Sequence, residues 1–123
     1  MTQPDEPSHP LVPPIPPLEV GPRSDGGSAL WIEPDAAQGV IDELRLVAKD
    51  VHEQAARCAR AYVAPHAGDE VSRNAAAQAN VMADRARDFC LAWHRQLHQA
   101  ADRLTEQLRA YRAVEDENRR RLA

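Results

Sequence analysis

The sequence predicts an all-α protein: an antiparallel two-helix hairpin with a long second helix, preceded by a disordered Pro-rich N-terminal arm. Nine of the ten prolines lie in residues 4–34, which sets this stretch apart from the rest of the chain. Beyond it, apolar residues recur every three or four positions, as on one face of a helix, and no period-two alternation indicates a strand. One arm and two helices account for both patterns.

Residues 1–30 form the predicted arm. The prolines of residues 10–17 favour extended polyproline II, and residues 21–28 are a polar stretch typical of a flexible segment. We expect the arm to be dispensable for folding, with the helical-hairpin domain in residues 31–123. Its Pro-x-x-Pro spacing would suit an aromatic-lined groove on another protein, and a plain spacer is the alternative.

The first helix is predicted to begin at Pro34, a residue suited to the first helical turn. Asp35 followed by Gln38 resembles a capping box. Pro65 should end the helix, because the residue before a proline is pushed out of the helical region. Between these limits the apolar stripe consists of Val40, Leu44, Val47, Val51, Cys58 and Tyr62.

The second helix is predicted from about Glu70 onward, since no Pro or Gly follows Gly68. Asp69 or Ser72 can cap its first turn. The pattern fits one long helix or two collinear ones. Its stripe includes Met82, Phe89, Trp93, Leu97, Leu104, Leu108 and Tyr111.

A short turn between two amphipathic helices makes them antiparallel. The first helix is about 45 Å long and the second about 80 Å, so the last part of the second should overhang. One hairpin also leaves half of each stripe uncovered, which predicts a partner that completes a four-helix bundle. The residues expected at that interface are Leu44, Val47, Val51, Phe89, Trp93, Leu97, Leu104 and Leu108.

The charge distribution argues against nucleic acid as a partner. The net charge is −4, and residues 1–34 hold five acids and one base, whereas the remainder is balanced. The helical part therefore has no excess of positive charge. No apolar run approaches the length of a membrane span, and the first residues lack the apolar core of a signal peptide.

Candidate chemistry is sparse, and we expect no enzyme, no cofactor and no metal site. His94 and His98 have zinc-ligand spacing, but no third ligand is evident and a pair of exposed helix histidines explains them. In a tight hairpin the residue opposite Cys58 lies near position 76, about 20 Å from Cys90, so we expect two free thiols. With 43% hydrophobic but only 4% aromatic residues, the core should be thin and Ala-rich, without a conventional pocket.

Two segments resemble a known family. Residues 31–35, from Trp31 to Asp35, followed by an Ala-rich helix, look like the opening of the EspC-like proteins associated with type VII (ESX) secretion. Tyr111 and Glu115 match the Tyr-x-x-x-(Asp/Glu) secretion motif of these WxG-related helical hairpins, and stand on one helix face. The Trp-x-Gly turn of the family is missing, because the turn holds Gly68 and the nearest tryptophan is Trp93.

The resemblance implies a non-catalytic substrate or carrier of a type VII secretion system, cytoplasmic before export and then secreted or at the cell surface. It also implies Tyr111 and Glu115 as the secretion signal. The implied partner is another helical-hairpin protein, in a homo- or heterodimer, and an ESX ATPase is a further candidate. The alternative is a cytosolic helical adaptor or regulatory coiled-coil subunit, in which Tyr111 and Glu115 are ordinary surface residues.

Overall fold

The structure is a computed structural model that describes residues 14–22, 27 and 29–123. Its elements in chain order are β1 (Leu18–Val20), β2 (Leu30–Ile32), α1 (Pro34–Arg60) and α2 (Glu70–Leu122). Two helices joined by a short connection confirm the predicted helical hairpin, whereas the bundle with a partner stays a prediction. The described residues form two compact units. Residues 50–94 with Pro14 are here named the turn unit, and residues 15–49 with 95–123 the strand unit.

α1 begins at the predicted residue, but its predicted capping box is not formed and it ends earlier than predicted. The helix begins at Pro34, so Asp35 lies inside its first turn. The Gln38 side chain donates a hydrogen bond to Asp42 at 3.1 Å, one turn further on, and no capping box with Asp35 is formed. The helix ends at Arg60, five residues before Pro65.

Asn80 explains why the chain leaves the helix before Pro65. Its side-chain oxygen accepts a hydrogen bond from the Val63 N–H at 2.8 Å, and its amide donates to the Val63 carbonyl at 3.1 Å. Both backbone groups of Val63 are therefore satisfied without helical partners. Residues 61–65 are not helical and lie beside the beginning of α2.

α2 is a single helix of 53 residues, which decides between the two predicted possibilities. Asp69 is its N-cap, as predicted. A hydrogen bond from the Ser72 side chain is the main cause that lowers the pKa of the Asp69 carboxyl, with the Ser72 backbone adding to it. The Asp69 carbonyl accepts the first helical bond, from Arg73 at 3.1 Å. The cap satisfies donors that the first turn cannot pair internally.

The core of the strand unit lies between the beginning of α1 and the later turns of α2. Ala37 and Ile41 from α1 pack there with Ala101, Leu104 and Leu108 from α2. The two alanines are fully buried and allow the helices to approach closely. At the edge of this core Arg45 pairs with Asp102 at 3.2 Å, although both side chains are exposed enough that the ion pair stabilises little.

A short parallel sheet covers this core, and the sequence did not predict it. β1 pairs with β2 in the register Leu18 with Leu30, Glu19 with Trp31 and Val20 with Ile32. Leu18, Val20 and Ile32 are partly buried against the core. Three-residue strands are too short to give a period-two pattern, which is why the sequence did not reveal them. Residues 1–13 of the predicted arm lie outside the described residues, but β1 is ordered, contrary to the expected disorder.

Gly21 directly follows β1 and lies under the Trp31 ring. Its N–H donates to the Ile32 carbonyl at 3.0 Å, which extends the pairing by one residue. A side-chain carbon at position 21 would approach the Trp31 ring to 3.1 Å. The absence of a side chain therefore lets the tryptophan cover the end of the strand.

Gln107 fastens β1 to α2 with two hydrogen bonds. Its Oε1 accepts from the Val20 N–H at 2.8 Å, and its Nε2 donates to the Leu18 carbonyl at 3.3 Å. Both backbone groups are otherwise at the open edge of a two-stranded sheet. The arm is thus tied to the hairpin at this point, although the sequence predicted that it would be dispensable.

Replacing Gln107 with alanine should lower the free energy of unfolding by about 1–3 kcal/mol, because partly buried backbone groups of β1 lose their partners. Urea denaturation followed by circular dichroism measures the change. Gln99→Ala is the matched control, since Gln99 is exposed on the same helix. Equal stabilities for the two variants would mean that the hydrogen bonds of Gln107 to β1 contribute nothing to the stability of the fold.

The helices of the turn unit meet in a register that the sequence analysis did not anticipate. The His52 and His94 rings lie 4.9 Å apart, and Tyr62 donates a hydrogen bond to Asp84. Residues facing α1 are therefore higher in number than a tight hairpin predicts. A non-helical residue spans up to about 3.3 Å, whereas a helical residue rises 1.5 Å. Residues 61–65 therefore lie alongside the first turns of α2, and α1 meets only later residues of α2. The predicted position 76 opposite Cys58 is wrong for this reason.

The shifted register also moves the start of the overhang. The sequence predicted that α2 would leave its partner helix at about residue 103. Instead Leu104 and Leu108 are buried, at 0% and 2% exposure. Tyr111 is half-buried, and every residue from 112 to 123 is exposed. The overhang is thus confined to the last turns of α2.

Candidate functional site

Tyr111 and Glu115 lie one turn apart on α2, where the helix leaves the core of the strand unit. Tyr111 is half-buried and Glu115 is exposed. The phenol stands at the boundary of the packed region, and the carboxylate projects from the solvated part of the helix. A phenol next to a carboxylate on a rigid helix face offers one aromatic surface, one hydrogen-bond donor and one charge to another protein. The arrangement suits recognition by another protein.

The charge of the sequence changes from acidic to basic after Glu115. Asp116 and Glu117 follow it, and three arginines, residues 119–121, form the last turn of the helix. Arg121 pairs with Glu117 at 3.3 Å across one turn. Basic residues at the C-terminal end complement the helix dipole. The helix can therefore persist here without tertiary contacts.

An apolar groove runs along α1 in the strand unit, with a volume of about 550 Å³. Leu44 and Val47 lie in it, and Leu97 of α2 closes its base. These three are among the predicted interface residues. Val47 is 40% exposed, so its side chain is available to another molecule. The remaining lining residues, none of them among the predicted interface residues, are Ala36, Gly39, Glu43 and Val40 of the predicted stripe.

Helical spacing could have revealed these lining residues. Ala36, Val40 and Val47 lie on the same face of α1, at intervals of four and seven. Gly39 deepens the groove, because a side-chain carbon there would meet no atom within 4 Å.

The other predicted interface residues fall into two groups. Val51 and Trp93 are half-buried and Phe89 is 44% exposed, all in the turn unit. Leu97, Leu104 and Leu108 are 5%, 0% and 2% exposed. Leu104 and Leu108 pack in the core of the strand unit, so the chain itself covers them. Leu97 is covered except where it lines the base of the groove.

Exposed apolar side chains lie both outside and within the predicted stripes. Leu46 on α1 and Val71 on α2 lie outside them and are 55% and 75% exposed, and Met82 of the α2 stripe is 68% exposed. The described residues contain no group of three or more His, Cys, Asp or Glu side chains that could hold a metal ion. Among these residues no helix is long and apolar enough to span a membrane.

His52 and Tyr62 make contacts with α2 that sequence reasoning missed. The His52 ring packs against His94 in a tilted arrangement, which explains one member of the His94 and His98 pair by packing. The hydrogen bond to Asp84 is the main cause that raises the pKa of Tyr62. The first contact joins α1 to α2, and the second joins the non-helical segment after α1 to α2.

Comparison with known proteins gives one family. A family model described as the PE family matches residues 30–118. The matched range contains β2, α1, most of α2 and both Tyr111 and Glu115, and it leaves β1 outside. No curated protein and no solved structure matches the chain.

Proposed function

The chain belongs to the PE family, whose members are associated with type VII secretion, and on this premise we propose that it is a non-catalytic substrate or carrier exported by such a system. The placement of Tyr111 and Glu115 carries the proposal. They lie within the matched range and at the point where α2 leaves its own core. A secretion component, for which an ESX ATPase is the candidate, could bind this helix face without unfolding the hairpin.

Export of the wild-type protein tests this proposal. The chain, tagged before residue 1, would be expressed in a strain with an active type VII system and in an isogenic strain whose secretion ATPase is inactivated. We expect the protein in the culture filtrate or at the cell surface of the first strain only. Wholly cytosolic protein in both strains would favour the cytosolic helical adaptor. A cytosolic marker must stay absent from the filtrate, so that lysis is excluded.

The groove on α1 supports a second part of the proposal. PE family proteins pair with other proteins in type VII systems. We propose that the partner is another helical hairpin, which lays an apolar helix on Leu44 and Val47 and completes a four-helix bundle. A groove of small and branched side chains fits a helix better than it fits a small polar molecule. Because the sequence also resembles EspC-like proteins, we propose that the partner is a hairpin of the EspC-like kind.

Replacing Val47 with glutamate should weaken the pairing by about 100-fold or more, because a charge would be buried in an apolar contact. Sedimentation at micromolar concentration, of the chain alone and of the chain co-expressed with a helical-hairpin partner, measures the effect. Leu46→Glu is the matched control, since Leu46 is the adjacent residue, is more exposed and does not line the groove. A wild-type chain that is a compact, cooperatively unfolding monomer in both samples would contradict the proposed partner.

A further inference from the structure

Cys58 and Cys90 face each other across α1 and α2 in the turn unit. Both are half-buried and carry free thiols. The Cys58 thiol lies close enough to Cys90 to contribute to the raised pKa of the Cys90 thiol. This contact reverses the expectation from the sequence, in which the two residues were about 20 Å apart.

Contacts on both sides of the cysteines fix this arrangement independently. On one side the His52 and His94 rings are 4.9 Å apart, and on the other Tyr62 donates a hydrogen bond to Asp84. In an antiparallel pair, a step of six residues forward on α1, from His52 to Cys58, corresponds to a step of six residues back on α2, from His94 to Asp88. Asp88 is two positions from Cys90. Two positions are about 3 Å along a helix axis. The packing of the turn unit therefore holds the two thiols at the same level.

We propose that Cys58 and Cys90 form a reversible intramolecular disulfide that links α1 to α2. The two cysteines would then be a modification site, and this proposal does not depend on the proposed export function. Bridging needs α-carbons within about 7 Å, a spacing typical of residues that face each other on closely packed helices. Ala55, one turn before Cys58, is 3% exposed and permits such close packing.

The reaction requires an external oxidant, for which a small-molecule disulfide suffices. One cysteine thiolate attacks the reagent, forms a mixed disulfide and releases one small thiol. The other cysteine then attacks the protein sulfur of that mixed disulfide and releases the second small thiol. The two protein thiols lose two protons and two electrons, and one small disulfide is reduced to two thiols.

The environment of Cys90 affects the rate of this reaction. Burial, and secondly the neighbouring Cys58, raise the pKa of the Cys90 thiol. Less Cys90 is then present as the reactive thiolate at neutral pH, so closure should accelerate as the pH rises. Half-burial also limits attack by a second protein molecule. The raised pKa therefore makes closure slow, and the half-burial favours closure within one chain over coupling between chains.

Oxidation should also stabilise the fold. The bond closes the loop of residues 58–90, which reduces the number of conformations open to the unfolded chain. A loop of this length should raise the melting temperature by on the order of 10 °C. Such a bond would persist in an oxidising compartment and be absent in a reducing cytoplasm.

Treatment of the purified, folded full-length chain with oxidised glutathione tests the proposal. After alkylation of the remaining thiols, mass spectrometry should show a monomer that has lost two hydrogen atoms and carries no alkyl group. Peptide mapping should join the Cys58 peptide to the Cys90 peptide, and the oxidised form should melt at the higher temperature. Two free or two separately glutathionylated cysteines in folded protein would overturn the proposal, as would disulfides formed only between chains.

Variants separate the effect of the bond from that of the side chains. Cys58→Ser and Cys90→Ser, treated in the same way, should show no gain in melting temperature. The Cys58→Ala/Cys90→Ala variant should keep the helical circular dichroism of the reduced wild type and lose all response to oxidant. A double variant that still gains stability on oxidation, or a bridged wild type that melts no higher than the reduced form, would refute the stabilising link.

Discussion

Replacing Tyr111 or Glu115 with alanine should abolish export while the protein continues to accumulate in the cytosol. The physical reason is the placement of the pair where α2 leaves the packed core, so the side chains are available to a secretion component in the folded protein. The matched family range includes both residues. Immunoblots of culture filtrate and cell lysate measure the effect directly.

Stability should change little in these variants, which separates loss of a signal from loss of the fold. Glu115 is exposed, and its replacement should alter the free energy of unfolding by no more than about 0.5 kcal/mol. Tyr111 is half-buried, so Tyr111→Ala should cost about 1 kcal/mol. The sequence analysis placed both residues on the overhang, and this difference follows from the shifted register.

Asp116→Ala is the matched control for the export experiment. It removes the same charge from the next position, which points about 100° away around the helix. Export of Asp116→Ala at the wild-type level, with loss of export in Glu115→Ala, would show that the helix face matters and the total charge does not. Normal export of both Tyr111→Ala and Glu115→Ala would refute the signal.

The largest stability effect is expected at Leu104. This side chain is 0% exposed and packs with Ala37 and Ile41 in the core of the strand unit. Leu104→Ala should lower the free energy of unfolding by about 2–5 kcal/mol, the sum of lost burial and the cavity that remains. The thin, Ala-rich core makes the loss serious, because few other large side chains are buried beside it. Urea denaturation followed by circular dichroism measures it.

Leu46→Ala provides the control for Leu104. It is the same substitution on a helix of the same unit, but Leu46 is 55% exposed. Its cost should be below about 1 kcal/mol, since little burial is lost. Equal costs for the two variants would contradict the placement of Leu104 in the core. Equal costs would instead support the prediction from the sequence that Leu104 faces a partner.

Much of the fold follows from local signals in the sequence. Pro34 marks the start of α1, Asp69 caps α2, and the absence of Pro and Gly after Gly68 allows one uninterrupted helix. Apolar spacing also placed Leu44 and Val47 on one face of α1, where the groove lies. These features depend on residues within one or two turns of each other, so the sequence alone determines them.

The features that depend on distant residues required the tertiary structure. Asn80 holds Val63 outside the helix, and in the turn unit α1 meets higher-numbered residues of α2 than the sequence predicted. Cys58 therefore faces Cys90, and Leu104 lies in the chain's own core. Likewise Gln107 binds the backbone of β1, which lies 87 residues earlier in the chain. A helical period fixes which face a residue occupies, but only the length of the connection and such long-range contacts decide what that face meets.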